Sequence, residues 1–202
     1  MGCVPAKSVS NLPYGLGGFK GGVPFVTYQQ KVALVQTWNV LMENLSRVGV
    51  IAFMRLFETH PDVQEIFIPF KGLDHESLRN SKELRAHALR VMSFVQKVVA
   101  RLEQPRKLEM LLGELGKSHL NYGAKAEYIE KIGPQFIYAV KPMLEDHWNP
   151  GVENAWLQLF RYITHYMKVT MERSDKETVD DDNRKKNKMK IMRHSFRGKL
   201  YK

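Results

Sequence analysis

The chain has 202 residues, 44% hydrophobic and 26% charged, a composition ordinary for one globular domain with a full apolar core and tails. Its formal charge of +10 points to nucleic acid only until it is mapped: nine Lys and Arg fall between Arg184 and Lys202 with no carboxylate among them, leaving 22 basic against 21 acidic residues before them. The body is therefore near neutral and no nucleic-acid partner is expected, since the basic tail has little aromatic interleaving beyond Phe196 and Tyr201.

Cys3 is the only cysteine, so no disulfide forms within the chain and the fold must rest on packing, which suits a reducing cytosol. The longest apolar run, Val48 to Met54, is stopped by Arg55, far short of the roughly 18 residues that span a bilayer. The N-terminus lacks the charged start and apolar stretch of a secretory signal, so export is not expected.

Residues 1–27 carry glycines at 2, 15, 17, 18, 21 and 22 and three prolines, the composition of a flexible arm. Order is expected from Thr27, where T-Y-Q-Q fits a capping box and Leu34, Val35, Trp38, Leu41, Met42 and Leu45 mark one helical face. A second helix follows through Val48, Ile51, Ala52 and Phe57, and Pro61 forces a break or a fresh helix start. Ser81 can cap a long helix with the stripe Leu84, Ala88, Val91, Val95, Val98 and Leu102, which Pro105 closes. Another is expected over about 106 to 120, ended by Tyr122-Gly123, then one from about Ala126 to Trp148, and a last one on Val152, Trp156, Leu159, Phe160, Ile163 and Met167. Pro134 and Pro142 both fall in the penultimate helix, where an interior proline costs about 3 kcal/mol or kinks the chain. No alternating strand pattern and no internal repeat appears, so the architecture is expected to be all α. Residues 174–202 run acidic first and basic after, the pattern of a solvated, disordered tail.

Two of these stripes end on, or enclose, an imidazole. On the fourth expected helix Leu111, Leu112 and Leu115 lead to His119, four residues past Leu115; on the helix before it His87 lies three residues after Leu84 and four before Val91. Taken singly, each is more often a hydrogen-bonded core histidine than a ligand. Two facing imidazoles, however, suit the two axial positions of a haem. An axial imidazole needs its other N–H satisfied, and the Leu115 carbonyl, four residues before His119, is the candidate acceptor. Gly113 and Gly116 weaken this helix by roughly 1 kcal/mol each relative to alanine, so cofactor contacts are expected to hold it.

Over about residues 28 to 173 the order Trp38, Phe53, Pro61, Phe67, His87, Val91, His119 and Trp156 resembles a globin, and most the neuroglobin-like branch. The resemblance implies a three-over-three helical sandwich holding haem b, with His119 as proximal iron ligand, Phe67 packed on the porphyrin, Phe53 and Val91 lining the distal pocket, and His87 above the iron. It places Arg90 at a haem propionate. Each has a plainer reading: Phe53, Phe67 and Val91 are apolar core in any helical fold, and Arg90 is a solvated charge.

MGCVPAKS offers Gly2 for N-myristoylation and Cys3 for palmitoylation, although Ala6 stands where the six-residue signature has Ser or Thr. Two acyl chains anchor stably where one does so only marginally. The C-terminal basic run adds about 1 kcal/mol per residue near an anionic leaflet. With these ends the chain resembles the globin X family, which implies a haem protein at the cytoplasmic face of the cell membrane. The ligands so implied are O2, NO and CO, with nitrite reduction or redox sensing served by an unidentified reductase; the alternatives are haem-dependent signalling without turnover, simple oxygen carriage, or a cofactor-free helical scaffold.

Overall fold

Thr27 opens the first helix as its spacing predicts: its hydroxyl accepts from the Gln30 amide at 3.3 Å while the Gln30 side chain accepts from the Thr27 amide at 2.9 Å. The computed structural model describes residues 22–199, beyond Ser174 chiefly as backbone. Gly2, Cys3 and the rest of the expected arm up to residue 21 lie outside the described residues. Among those described, the chain is helical without strands: α1 Tyr28–Leu41, α2 Leu45–Thr59, α3 Pro61–Gln64, α4 His75–Asn80, α5 Lys82–Val99, α6 Pro105–Asn121, α7 Ala126–Ile129, α8 Ile132–Leu144 and α9 Pro150–Lys199, with short 3-10 turns between some of them.

Helix α1 packs on α5, α8 and α9, α2 on α5 and α8, and α6 on α9, which sets α1, α5 and α6 across α2, α8 and α9 in the expected three-over-three sandwich. Trp38 and Trp156 meet at 6.2 Å between ring centroids, and Phe136 closes on Trp156 at 5.1 Å. The Trp156 indole donates to Thr37 Oγ1 at 3.1 Å, and Thr37 in turn donates to the Ala33 carbonyl at 2.7 Å. That chain of donors satisfies a buried N–H that would otherwise cost about 1–3 kcal/mol.

Ser81 caps α5 through the Leu84 amide at 3.1 Å. Pro105 does not close α5, which ends at Val99; it opens α6 from the first helical position, where a missing N–H costs nothing. The single helix expected over 126–148 is broken into α7, α8 and a 3-10 turn at Glu145–His147. Pro134 sits in the first turn of α8, and Pro142, unable to return an amide to Tyr138, is followed by the helix end at Leu144 and by Glu145 at φ 41.

α9 continues as one helix to Lys199, into the stretch expected as a tail, and residues 200–202 lie outside the described residues. Asp180, Asp181 and Asp182 stand four residues before Arg184, Lys185 and Lys186, the acid-before-base order that supports a helix, and cations toward its C-terminus match the macrodipole.

Two glycines set the crossings that matter. A Cβ on Gly116 of α6 would meet the Met167 carbonyl oxygen of α9 at 2.6 Å, so backbone touches backbone there. A Cβ on Gly49 of α2 would meet Ala88 Cβ of α5 at 3.0 Å. Gly116 therefore allows α6 to approach α9 backbone to backbone, a contact that is set against its helix-propensity cost. Glu109 of α6 adds to the same joint, accepting from the Tyr166 hydroxyl at 2.9 Å.

Candidate functional site

His87 and His119 ride on these two glycine crossings, one residue before Ala88 and three after Gly116. Buried side chains form two apolar clusters, and the His87 ring lies against the second. The first joins α1, α5, α6, α8 and α9 and includes Leu112, with Leu115 packed on it; the second gathers Phe53, Leu56, Phe57, Phe70, Leu84 and Ala88, with Phe67 and Val91 against it. Ile132 touches both.

His119 is half-buried, and its Nδ1 lies 2.9 Å from the Leu115 carbonyl oxygen, the acceptor expected from the sequence. A carbonyl can only accept, so Nδ1 carries the proton and donates. Nε2 is left with a free lone pair, the form a metal requires.

His87 is half-buried inside a ring of phenylalanines: Phe53 at 4.9 Å, Phe67 at 5.3 Å and Phe70 at 6.4 Å between centroids, all edge-to-face. Burial, and then the Arg90 and His119 charges, push its pKa down to about 4. The imidazole is neutral at physiological pH and able to donate a lone pair. Arg90 Nη2 lies 3.5 Å from His87 Nδ1, so this exposed guanidinium faces the histidine itself.

Phe53, Phe67 and His87 thus meet ring to ring, Arg90 faces His87 and Val91 packs on the same cluster, while Leu115 and His119 are joined along α6 and the charge of His119 acts on His87. Phe70 was not singled out from the sequence, and Phe57 only as part of the second helix's apolar stripe. Phe70 stacks on Phe67 at 5.6 Å and Phe57 meets the same ring at 5.4 Å; the three-residue step from Phe67 to Phe70 was the available signal. An open cleft of about 800 Å3 between α6 and α9, lined among others by Met110, Gly113 and Thr170, contains neither histidine.

Among the described residues no group of three or more His, Cys, Asp or Glu is assembled for a metal. A neutral His87 among aromatic rings and a His119 that donates from Nδ1 fit an ion that brings its other donors with it, as porphyrin iron does. Haem fits these residues: His119 has its Nε2 free, and phenylalanine edges supply an apolar seat.

A three-over-three helical sandwich with two inward histidines across an aromatic crevice defines a haem-binding helical protein. The model of the globin family matches residues 50–167, more than half the chain, and the chain belongs to that family. The anaerobic nitrite reductase HBII of Casuarina glauca is 26% identical over 151 residues, covering 73% of this chain and 94% of that protein. Among solved structures, a hexacoordinated haem protein from an anhydrobiotic tardigrade superimposes with a TM-score of 0.69 at 23% identity, covering 73% of this chain and 96% of the other. A double mutant of Aplysia limacina myoglobin does so at 0.65 and 22%, covering 71% and 97%.

Proposed function

We propose that the chain is a haem b globin of the neuroglobin-like branch, most like globin X, with His119 as proximal ligand and His87 as sixth ligand. The observation that carries this reading is the 2.9 Å bond from His119 Nδ1 to the Leu115 carbonyl, which holds the ring in the one tautomer an iron can use. Haem, when bound, supplies the redox-active iron and the position where O2, NO or CO is taken up. The chain supplies the rest. Phe53, Phe67 and Val91 keep water from the distal side, and His87, already neutral, competes with any external ligand. A ligand must displace it, so redox chemistry or sensing suits this crevice better than bulk oxygen transport.

The name of the Casuarina glauca relative supports nitrite as a substrate. Reduction of nitrite to nitric oxide takes one electron and two protons and releases water. Buried His87 has no extra proton to give; once displaced toward water its pKa returns to the ordinary histidine range, and it can carry one inward. The electron comes from a reductase. Acylation at Gly2 and Cys3 would hold the protein at the cytoplasmic face of the cell membrane, two chains being enough for a stable anchor.

Titration of the purified chain with hemin tests the site. One equivalent should give a ferrous spectrum with the split visible bands of bis-histidine haem, His119→Ala should abolish stable binding, and single-turnover nitrite consumption should require the ferrous form. A chain that stays colourless sinks the proposal. The anchor is tested separately: Gly2→Ala should move the protein from the membrane to the soluble fraction, and no redistribution would remove the acyl reading.

A further inference from the structure

Helix α1 has two faces. Leu34, Thr37, Trp38 and Leu41 turn into the core, while Tyr28, Val32, Val35 and Asn39, with Met42 in the turn that follows, stand exposed on the other side. None of these five side chains belongs to either apolar cluster. Among the described residues, six of the thirteen large apolar side chains left exposed lie between Val23 and Met42, so they form a patch and not a scatter. From Tyr28 to Met42 the line steps by four, three, four and three residues, the a and d spacing of a coiled-coil seam, and on α1 it spans about 60°.

Charge decides what can cover it. Gln29 and Gln36 border the line on one side, and on the other Lys31 is held by Glu103 at 3.0 Å. A groove of about 370 Å3 runs beside the valines, lined by Val32, Val35 and Gln36 of α1 and by Val99, Ala100 and Leu102 at the end of α5 and just after it. Between Tyr28 and Met42 the seam therefore carries no unpaired charge. Such a surface is its own complement: whichever way a second helix runs along it, Val32 and Val35 meet valines and no charge inside it meets its like. Asn39 takes the one polar place in the seam, where an amide fixes register at some cost in stability.

We propose that the outer face of α1 is a self-association surface, on which Tyr28, Val32, Val35 and Met42 pack against the same residues of a second copy of this chain. Phe25 at 68% and Tyr28 at 72% exposure, with Val23, Val32, Val35 and Met42, offer roughly 600 Å2 per copy, so two copies bury about 1,200 Å2, the lower end for a specific interface. The dimer is accordingly weak, with a Kd of roughly 10 μM. A lipid leaflet fits this face less well. Interfacial helices border their apolar side with Lys and Arg, whereas here Gln29, Gln36 and Asn39 stand beside one cation that is already paired. Those amides find hydrogen-bond partners on a second protein surface and none in hydrocarbon.

Sedimentation equilibrium of the full, hemin-loaded chain over about 1 to 300 μM brackets that Kd and tests the surface. A reversible dimer is expected. The Val32→Glu, Val35→Glu double variant and the Val32→Lys, Val35→Lys double variant should each weaken it at least tenfold by setting like charges face to face, and an equimolar mixture of the two should pair again. Both valines are exposed, and circular dichroism checks that the variants fold. A full chain that stays monomeric throughout overturns the proposal, whether its own first 21 residues or a leaflet covers the seam instead. So does a dimer that both double variants leave intact, which places the contact elsewhere, and so does a mixture that fails to pair. Haem uptake is read from the Soret band of the same samples, so failure here leaves the globin reading untouched.

Discussion

His119 and His87 carry the same ring in opposite hydrogen-bond circumstances. The Leu115 carbonyl keeps the proton of His119 on Nδ1. Arg90, which can only donate, sits 3.5 Å from His87 Nδ1 and favours the tautomer protonated on Nε2, where no lone pair is left for a metal. His87 can ligate through Nε2 only when Arg90 lets go. Arg90→Leu should therefore raise the ratio of six- to five-coordinate haem, by roughly two- to fivefold if the long, exposed contact is worth about 0.5–1 kcal/mol. The ferric absorption spectrum measures that ratio, and an unchanged one would take Arg90 out of this role. The Leu115 contact was legible in the sequence because it is local: a helical ring four residues past a carbonyl near the helix end reaches it. The Arg90 contact was not, because a long side chain chooses among partners that spacing alone leaves open, and the family resemblance pointed it toward a propionate.

Helix signals that act within one turn were read correctly, and those that depend on a distant partner were not. Thr27 and Ser81 cap as their neighbours dictate, and Pro61 starts a helix. Pro105 and Pro142 mark boundaries, but whether a proline opens an element or precedes its end depends on the flanking turn. Gly116 was read as a weak point because its helix propensity is local, whereas its reason for being glycine is Met167, fifty-one residues on. Gly116→Ala weighs these against each other. Alanine gains about 1 kcal/mol of propensity, but its Cβ would stand 2.6 Å from a backbone oxygen that no rotamer change can move. Overpacking against backbone costs about 1–3 kcal/mol, so a net loss of stability is expected, along with faster haem loss as His119 shifts. Thermal melting and haem transfer to an apoglobin acceptor would measure both; a more stable variant would mean that the two helices part without cost.

Across the molecule, the order of the main helices and the inward position of both histidines followed from apolar periodicity. The last stretch carries two opposed signals, block charges that argue for disorder and four-residue offsets of acid before base that argue for helix. The crevice also ties global stability to acidity. His87 has a folded-state pKa of about 4 against about 6.5 in an unfolded chain, so between those values the unfolded apoprotein takes up a proton that the folded one refuses. Stability should fall as pH drops from 6.5 toward 4, and His87→Phe should flatten that slope in urea titrations of apoprotein. An identical slope in the variant would place the acid sensitivity elsewhere. The contact between Gly116 and Met167 has one more consequence. With no compressible side chain between them, a shift of the proximal ring is passed to α9 as a rigid joint passes motion to a beam. From Met167 to Lys199 that beam is about 48 Å long at helical rise, so a tilt of about 2° at the pivot sweeps its tip through roughly 1.7 Å.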